Sequence, residues 1–544
     1  DGLYSTYNVI QEAMGPLELR LDGGYVRSEG QRQNSQYDLW QSNLYLGYRP
    51  DDRQLIALDF HASRFSGGDP GRLTFPQFLR NEDYSPTPYN HDWVDRYSVV
   101  LRDEWKFADR WLMQAKAWYT HQDLDSRAAG NLTAAGLPPL NARTTLQYEE
   151  FNNGGVDVRF RADWGDGTMF KGSALTFGGT AYHGDAPFDR YTSANLYNGR
   201  DDTSGLPHTF DQARSSDYQA FFAENIFRFG KFHIVPSFRL DHEEVDVDTT
   251  IGPNSGGRGA EHTVPLWGIG LGNDFGHLNE TYFSASSGWR PTRYFDVASP
   301  FQPLNPANRP DPFKSLDFEL GVHGTPIKGL WYDVGLFWME FYNRTETQFF
   351  TRTDFIIVNS GDSRHRGFEG ELSYDFMEFF RGPQVASADN SKDGKDGKEA
   401  VTATVSPFRD WHLIVFSNLQ LLDAEFTESL TGLVGKTPAF APSVLYKGGI
   451  TLSRDNCFNV TFSAVHVSDQ FWGDANTGNA TIPAKIPSYQ VYNLAGDVRL
   501  TKHLKLIAGV SNLFDEKYYS RVFFNGSIEP APRRYGYAGL ALEF

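Results

Sequence analysis

The chain has 544 residues, of which 15% are aromatic and 52 are glycine, and no Pro- and Ser-rich linker divides it, so one large repetitive domain is expected. Its formal net charge of -18 argues against a nucleic-acid partner, because a phosphate backbone selects basic surfaces, and the single Cys457 excludes an intramolecular disulfide. No apolar run is long enough for a membrane helix, but the mean hydropathy of -0.48 is compatible with a membrane β-barrel, in which lipid-facing and lumen-facing residues alternate.

Period-two alternation of apolar and polar residues begins near the N-terminus, where the first predicted strand covers residues 3–11. Short turns and long loops then alternate along the chain. The short turns are predicted at residues 14–16, 51–54, 107–110, 229–231, 274–277, 327–329, 453–456 and 501–503, and the long loops at 64–96, 184–217, 288–314, 468–488 and 515–533. Bacterial barrels have short periplasmic turns and longer extracellular loops, so the pattern predicts a barrel in the outer membrane, in contact with lipid and lipopolysaccharide, with a periplasmic C-terminus.

One connection breaks this alternation of lengths. Residues 377–410 follow a strand on the side where the turns should be short and periplasmic, yet they form a long insertion. Its central run, residues 387–399, is polar and of low complexity and cannot bury a core. A solvated loop is the simpler interpretation, and a docking element for a periplasmic partner is the alternative.

The last predicted strand covers residues 536–544, with alternating apolar residues and the terminal Phe544. Counting in this way predicts an all-β fold, a transmembrane antiparallel β-barrel of about 22 strands, of which about 21 are visible. Because the count is odd, the first and last strands run in the same direction. Antiparallel closure then needs one more strand between them, which we expect to be missing at the front of the chain.

Neither enzymatic chemistry nor a resident metal centre is indicated. The 14 histidines are scattered without metal-ligand spacing, so the protein is not expected to be an enzyme. One acidic run could hold a loop Ca²⁺, because His242, Glu244, Asp246 and Asp248 would share a strand face, but a solvated strand end is the simpler interpretation. Tryptophans near strand ends are expected in an interfacial girdle, namely Trp105, Trp111, Trp289 and Trp411.

Four motifs occur in an order that resembles the TonB-dependent outer-membrane receptor family. The C-terminal motif consists of Asn512, Leu513, Phe514 and Asp515, followed by residues 516–519, 532–534 and the terminal Phe544. The upstream motifs are residues 358–361 with Arg366, Gly367, Phe368 and Glu369, residues 314–321, and residues 437–442. The resemblance covers nearly the whole chain and implies a 22-stranded barrel, with these residues in structural roles.

The resemblance also implies two parts that this sequence lacks. Members of the family close the barrel with an N-terminal plug, preceded by a segment that contacts TonB, whereas residues 1–544 are expected to form the barrel domain alone, beginning at the second strand. Without a plug, a barrel of this size would be an open pore. Three explanations remain open: an incomplete sequence, a plug on a separate polypeptide or cleavage product, and a barrel with a different role.

Within the family, residues 71–78, 211–222, 474–477 and 486–489 are most similar to the ferric citrate receptor group. That similarity implies an anionic metal chelate as the transported ligand, held by arginine and amide donors. The candidate ligand contacts are Arg214, Arg293 and Asn525, with Arg127 and Arg143 as looser candidates. For each arginine, pairing with a neighbouring carboxylate is the alternative interpretation.

Two functions remain open from the sequence. The first is uptake of a ferric chelate, a siderophore or a citrate complex, energised through the TonB system. The second is a structural or pore-forming barrel that is part of a larger outer-membrane assembly or is closed by a plug from elsewhere.

Overall fold

The computed structural model describes residues 2–130, 132, 142–167, 169–276, 278–299, 311–349, 355–380, 407–479, 481–523 and 525–544. These residues are mostly in β-strands, with two short helices, α1 (Phe75–Arg80) and α2 (Tyr294–Val297), and a 3-10 helix at Phe376–Phe380. None of the helices in these ranges is long and apolar enough to cross a membrane. Residues 381–406, most of the predicted insertion, lie outside the described residues, so its proposed partner stays a prediction.

Most strands are longer than the ten or so residues that a tilted strand needs to cross a bilayer, so they continue beyond it. The first half of the chain contains β1 (Leu3–Met14), β2 (Leu17–Ser28), β3 (Tyr37–Asp51), β4 (Gln54–Gly68), β5 (His91–Ala108), β6 (Trp111–Ala129), β7 (Thr144–Trp164), β8 (Ser173–Asp185), β9 (Phe188–Ser193), β10 (His208–Phe229), β11 (Phe232–Ile251) and β12 (Gly256–Phe275). The second half contains β13 (Asn279–Arg290), β14 (Phe313–Gly324), β15 (Leu330–Phe349), β16 (Phe355–Asp375), β17 (Trp411–Ser429), β18 (Val444–Arg454), β19 (Phe458–Val467), β20 (Gln470–Phe471), β21 (Lys485–Ile486), β22 (Tyr489–Arg499), β23 (Leu504–Ser511), β24 (Tyr519–Val522), β25 (Ile528–Pro530) and β26 (Tyr535–Leu542).

The strands form one antiparallel sheet of 22 members, in which each long strand pairs with the next along the chain. Strands β8 and β9 both lie between β7 and β10, on either side of a break at Ala186 and Pro187, so β9 continues β8. Counted as one, these two reduce 22 strands to 21 positions. The all-β barrel fold and the predicted number of visible strands are therefore confirmed.

The two ends of the sheet are β1 and β26. Strand β1 pairs with β2, and β26 pairs with β23. Because neighbouring strands are antiparallel, the first and twenty-first positions run in the same direction, as predicted. No ladder joins β1 to β26 within the described residues.

Most connections at one end of the sheet are tight turns, and some of these use glycine. Strand β10 ends at Phe229 and β11 begins at Phe232, and between them Gly230 has φ 65°. Strands β1 and β2 are joined in the same way through Gly15, with φ 60°. Left-handed φ values allow a two-residue hairpin turn that matches the strand twist, and glycine adopts them without a steric cost. These positions agree with the short turns predicted at 14–16 and 229–231.

Alternation along the strands gives the sheet an apolar outer face and a polar inner face. Leu101, Tyr119 and Val156 are exposed on the outer face. On the inner face, Arg159 Nε lies 2.7 Å from the nearly buried Asp157 carboxylate. An apolar belt outside and charged groups inside are the arrangement of a membrane barrel with a polar lumen.

The family-like motif near the end of the chain has a structural role. Asn512 and Asp515 adopt φ 51° and 60°, a left-handed conformation that Asn and Asp tolerate better than other side chains. The Asn512 amide donates to the carbonyls of Glu516 and Pro532, and Asp515 forms an ion pair with Arg533 at 2.7 Å. This motif therefore fixes the start of the last long loop.

The upstream motif has a different structural role. Arg366 forms an ion pair with Asp423 at 2.7 Å, and the Glu369 carboxylate accepts a hydrogen bond from Gln420 at 2.9 Å. Both partners lie on β17, so these contacts join β16 to the next strand. Gly367, between the two, lies under the ring of Phe337.

The largest buried apolar cluster lies among the long loops. This cluster, called the loop core below, contains Leu73, Phe78, Ile482, Ile486, Tyr519, Val522 and Ile528. Leu73 and Ile528 exchange backbone hydrogen bonds of 2.9 and 2.6 Å, so the β4–β5 loop and the last loop are joined as a short bridge. At the edge of the core, Glu82 pairs with both Lys517 and Arg533. The loops at this end are thus a packed structure.

Candidate ligand-binding site

Arg214 lies on the inner face of β10, above the apolar belt, whose last exposed member on this strand is Phe221. The arginine side chain is 8% exposed. Its Nε donates a hydrogen bond to the carbonyl of Ala186 at 2.5 Å, and the Ala186 amide donates to the Arg214 carbonyl at 2.7 Å. Because Ala186 lies in the break between β8 and β9, this break in the strand positions the arginine.

The guanidinium of Arg214 keeps one donor unused. Its Nη2 lies 3.6 Å from Glu149 Oε1, which is too long for a hydrogen bond, and it has no other hydrogen-bond partner among the described residues. The rings of Phe188 and Tyr294 lie 5.0 and 5.3 Å from the guanidinium carbon. Burial lowers the pKa of Arg214, with the Glu149 carboxylate opposing it, but an arginine stays protonated at neutral pH. A buried cation with a free N–H is a suitable donor for an anionic ligand.

The segment after β13 folds inward and completes this site. The Thr292 amide donates to the Glu243 carboxylate at 2.9 Å, and Trp289 Nε1 donates to Asp241 at 2.8 Å, both on the inner face of β11. Helix α2 then packs against β11 through a small apolar cluster that consists of Val245, Val247, Val297 and Ala298. Trp289 therefore differs from the expected interfacial girdle residue, because its indole is bonded to an inner-face carboxylate.

Arg293 lies beside this site, but its guanidinium is already paired. It precedes α2, and its Nη2 and Nε donate to Asp296 at 2.6 and 3.0 Å. Asp296 is 2% exposed and also pairs with Arg290 at 3.3 Å. The next residue, Tyr294, contacts Arg214, so the structure brings the predicted Arg214 and Arg293 into one neighbourhood. Burial raises the pKa of the Tyr294 hydroxyl, which bonds to Ser216 at 3.2 Å.

Two further arginines at this site were not predicted from the sequence. Arg190 on β9 is partly buried between the rings of Phe188 and Phe210, at 4.6 and 4.8 Å, and burial lowers its pKa to about 10. Arg258 on β12 lies opposite Val247, which lies opposite Arg214, so all three are on the inner face. Arg258 follows a glycine-rich stretch, and β12 begins within it at Gly256.

Arg258 borders two adjoining clefts at the upper ends of β10 to β12. The first cleft, of about 570 Å³, is lined by both Arg214 and Arg258, but most of its lining, three aspartates included, comes from the outer face; Thr292 and Asp296 line the second, of about 780 Å³. Arg258 forms no ion pair or hydrogen bond with any residue that the structure describes. Arg214 and Arg258 thus both have donors available to a ligand.

The looser candidates lie elsewhere. Arg127 is a residue of β6, which continues to Ala129, and it shares the outer face with Tyr119. It donates to the carbonyls of Tyr89 and Asn198 at 2.8 and 2.7 Å, so it is a structural residue outside the lumen. As a looser candidate for a ligand contact, Arg127 does not join the inner-face site around Arg214, because alternate residues of a strand point to opposite faces. Arg143 is exposed just before β7.

Asn525 belongs to the loop-core side of the molecule. Its side-chain oxygen accepts hydrogen bonds from the Ser527 amide at 3.0 Å and hydroxyl at 2.6 Å, which shapes the turn before Ile528. No contact between described residues joins it to Arg214. Its assignment as a ligand contact stays a prediction.

The acidic residues near the end of β11 share one face of the strand, as predicted. Glu244, Asp246 and Asp248 are exposed, and they alternate with the buried Glu243 and Val245 of the inner face. His242 shares their face and contacts Thr263 at 3.0 Å. These carboxylates are a solvated outer edge, and a Ca²⁺ ion there stays a prediction.

A family model described as TonB dependent receptor-like, beta-barrel, matches residues 20–513. Among solved structures, the chain is similar to the ferric citrate transporter FecA in its unliganded form (18% identity, 100% of this chain and 76% of that chain, TM-score 0.80), the copper transporter OprC (15%, 100% and 79%, 0.74) and the siderophore receptor PiuA from Acinetobacter baumannii (13%, 99% and 80%, 0.75). No curated protein sequence shows significant similarity. At these identities the solved structures support the fold. Because they transport different ligands, they do not identify the ligand of this chain.

Proposed function

The chain belongs to the TonB-dependent receptor family, and on that premise we propose that it takes up an anionic ferric chelate across the outer membrane, energised through TonB. The observation that carries the proposal is Arg214, a buried inner-face cation whose Nη2 has no hydrogen-bond partner among the described residues. Burying a charged donor is costly unless something satisfies it. An anionic ligand at the mouth would do so.

The chemistry of the site favours carboxylates as the ligand groups. Arg214 on β10 and Arg258 on β12 both lie on the inner face, on either side of β11 and opposite the same residue, Val247. Arginine donates in a fork geometry that fits a carboxylate, and such charge-assisted hydrogen bonds are about twice as strong as neutral ones. A citrate-like complex carries several carboxylates, so it could engage both arginines. FecA, which shares the fold, is a ferric citrate transporter.

The proposal is tested by titrating the purified barrel with ferric citrate and following tryptophan fluorescence or heat. We expect Arg214→Ala and Arg258→Ala each to weaken binding by about 10- to 100-fold, the loss of one charge-assisted hydrogen bond. Arg293→Ala should have a smaller effect, because its guanidinium is occupied by Asp296. Arg127→Ala is the matched control, since this arginine lies on the outer face, and it should bind as the parent does.

The assignment of the site would be wrong if the Arg214→Ala, Arg258→Ala double variant bound ferric citrate as tightly as the Arg127→Ala control. Energisation is tested separately by iron uptake in cells, which should stop when TonB is absent. The alternative function, a scaffold or pore, predicts large unselective conductance in a planar bilayer and no saturable ferric citrate binding.

A further inference from the structure

Three side chains that bind metals in many proteins converge on the outer face of the barrel wall. They are Asp189 on β9 and His208 and Asp211 on β10, and their ligand atoms all lie within 4.8 Å of one another. Asp211 has the same orientation as the outward-facing Phe221 and lies well above it. This cluster is therefore outside the lumen and separate from Arg214.

The pairing of the two aspartates is unfavourable without a counter-charge. Asp189 and Asp211 are directly opposite each other in the β9–β10 ladder. Like charges at directly opposite positions destabilise a sheet, because their side chains are held a few ångströms apart. In the described residues the nearest neutralising group is His208, whose Nε2 lies 2.8 Å from Asp189 Oδ1. One imidazole, even when protonated, balances only one of the two carboxylates.

Neighbouring side chains hold the three ligands in place. The ring of Tyr191 stacks on the His208 imidazole, with centroids 4.6 Å apart and an angle of 10° between the planes. The Thr250 hydroxyl donates to Asp211 Oδ2 at 2.5 Å. Partners of this kind orient the ligands of a metal site and are as much a part of it as the ligands themselves.

A second histidine on the same outer face shows which feature matters. His183 also lies between two aspartates, but Asp217 contacts its Nδ1 at 2.9 Å and Asp185 contacts its Nε2 at 3.2 Å. The two carboxylates are on opposite sides of the imidazole, so they cannot converge with one ring nitrogen on a single ion. The His183 group thus has the same composition as the His208 group without its convergent geometry.

We propose that Asp189, His208 and Asp211 form a binding site for one divalent transition-metal ion of the Zn²⁺ class. Carboxylate oxygens and imidazole nitrogens are both ligands of such ions, and a site with three protein ligands completes its coordination with water. A divalent ion balances both carboxylates. The ligands bind as carboxylates and neutral imidazole, so any proton on His208 leaves to solvent when the ion enters.

The position of the site indicates what the ion does. Asp189 lies in the strand before loop 194–207, and His208 is the first residue after that loop. An ion bound between them would hold the two ends of the loop together. The far part of the loop is pinned across the outer face by Arg200, whose Nη1 and Nε donate to Asp95 and Asp125, each at 2.5 Å. The ion would thus fix the base of the loop, and Arg200 fixes its far part.

The test is calorimetric titration of the whole chain, purified in detergent and stripped with a chelator, using Zn²⁺ alone as the probe. Wild type and His183→Gln should each bind one Zn²⁺ with the same affinity. His208→Gln and Asp211→Asn should weaken binding at least as much as the roughly 10- to 100-fold loss caused by removing an outer partner of a metal ligand.

Co²⁺ supplies a second readout, because a low-coordinate Co²⁺ complex absorbs visible light and the band should be absent in His208→Gln. The proposal is overturned if wild type binds no Zn²⁺, if His208→Gln binds it as tightly as wild type, or if His183→Gln loses it to the same extent. A thermal melt that matches wild type should accompany each variant, so that a loss of Zn²⁺ binding is distinguished from a loss of the fold.

Discussion

Gly367 is a position at which one added methyl group should destabilise the barrel. A Cβ atom there would lie 2.1 Å from the backbone carbonyl oxygen of Leu421 and 2.6 Å from the ring of Phe337. A ring can rotate away, but Leu421 is part of the β16–β17 ladder, and moving its carbonyl breaks inter-strand hydrogen bonds. Overpacking costs about 1–3 kcal/mol and one hydrogen bond about 1 kcal/mol, so Gly367→Ala should destabilise the barrel by about 2–4 kcal/mol.

The assay is urea unfolding of the barrel in detergent, followed by tryptophan fluorescence. Gly539→Ala in β26 is the matched control, because its Cβ would meet nothing within 4 Å. That variant should be neutral or slightly stabilised, since alanine loses less backbone entropy than glycine on folding. If the two variants unfold at the same urea concentration, the close approach of the Leu421 carbonyl to Gly367 does not constrain the barrel.

Two further predictions concern the loops. Hydrogen bonds from Arg533 lower the pKa of Asp515 to about 2, so the stability from this carboxylate is complete above its unfolded pKa of 3.8 and is lost as the pH falls towards 2. Proteolysis of the last loop by an acid-active protease should therefore accelerate below pH 4 in wild type, whereas Asp515→Asn should be cleaved readily at every pH; equal pH dependence in both would contradict this. Phe78→Ala should cost the loop core about 3–5 kcal/mol and speed amide exchange at Leu73, because Phe78 is 4% exposed, whereas Leu79→Ala at the 60% exposed neighbour should leave that exchange unchanged.

The strand pattern could be predicted because it depends on local properties. Alternation has a period of two whatever the surroundings, and tight turns need residues such as Gly15 and Gly230 at fixed places. The same reasoning predicted that Glu244, Asp246 and Asp248 share one strand face, as they do. Each of these features is determined within a few residues of chain.

The site depended on contacts between distant segments, which a sequence pattern does not contain. The face of Arg127 could not be predicted, because β6 continues to Ala129, beyond the membrane, where lipid no longer selects apolar residues for the outer face. The break at Ala186 that positions Arg214 joins residues 28 positions apart, and Arg258 is recognisable only once β12 lies beside β11. Resemblance to a family indicated Arg214, but not the partner that Arg293 has in Asp296.

The loop core has a consequence for the order of folding. Glu82 and Arg533 are 451 positions apart, and most strands of the barrel, β5 to β23, lie between them in the sequence. Closing a loop of that length early would cost entropy that no local contact repays, so contacts of this kind form late. The loop core should therefore be the last part of the molecule to become protected from exchange during refolding, after the strands have brought its two halves together. Its appearance would report that the barrel beneath it has been assembled in register.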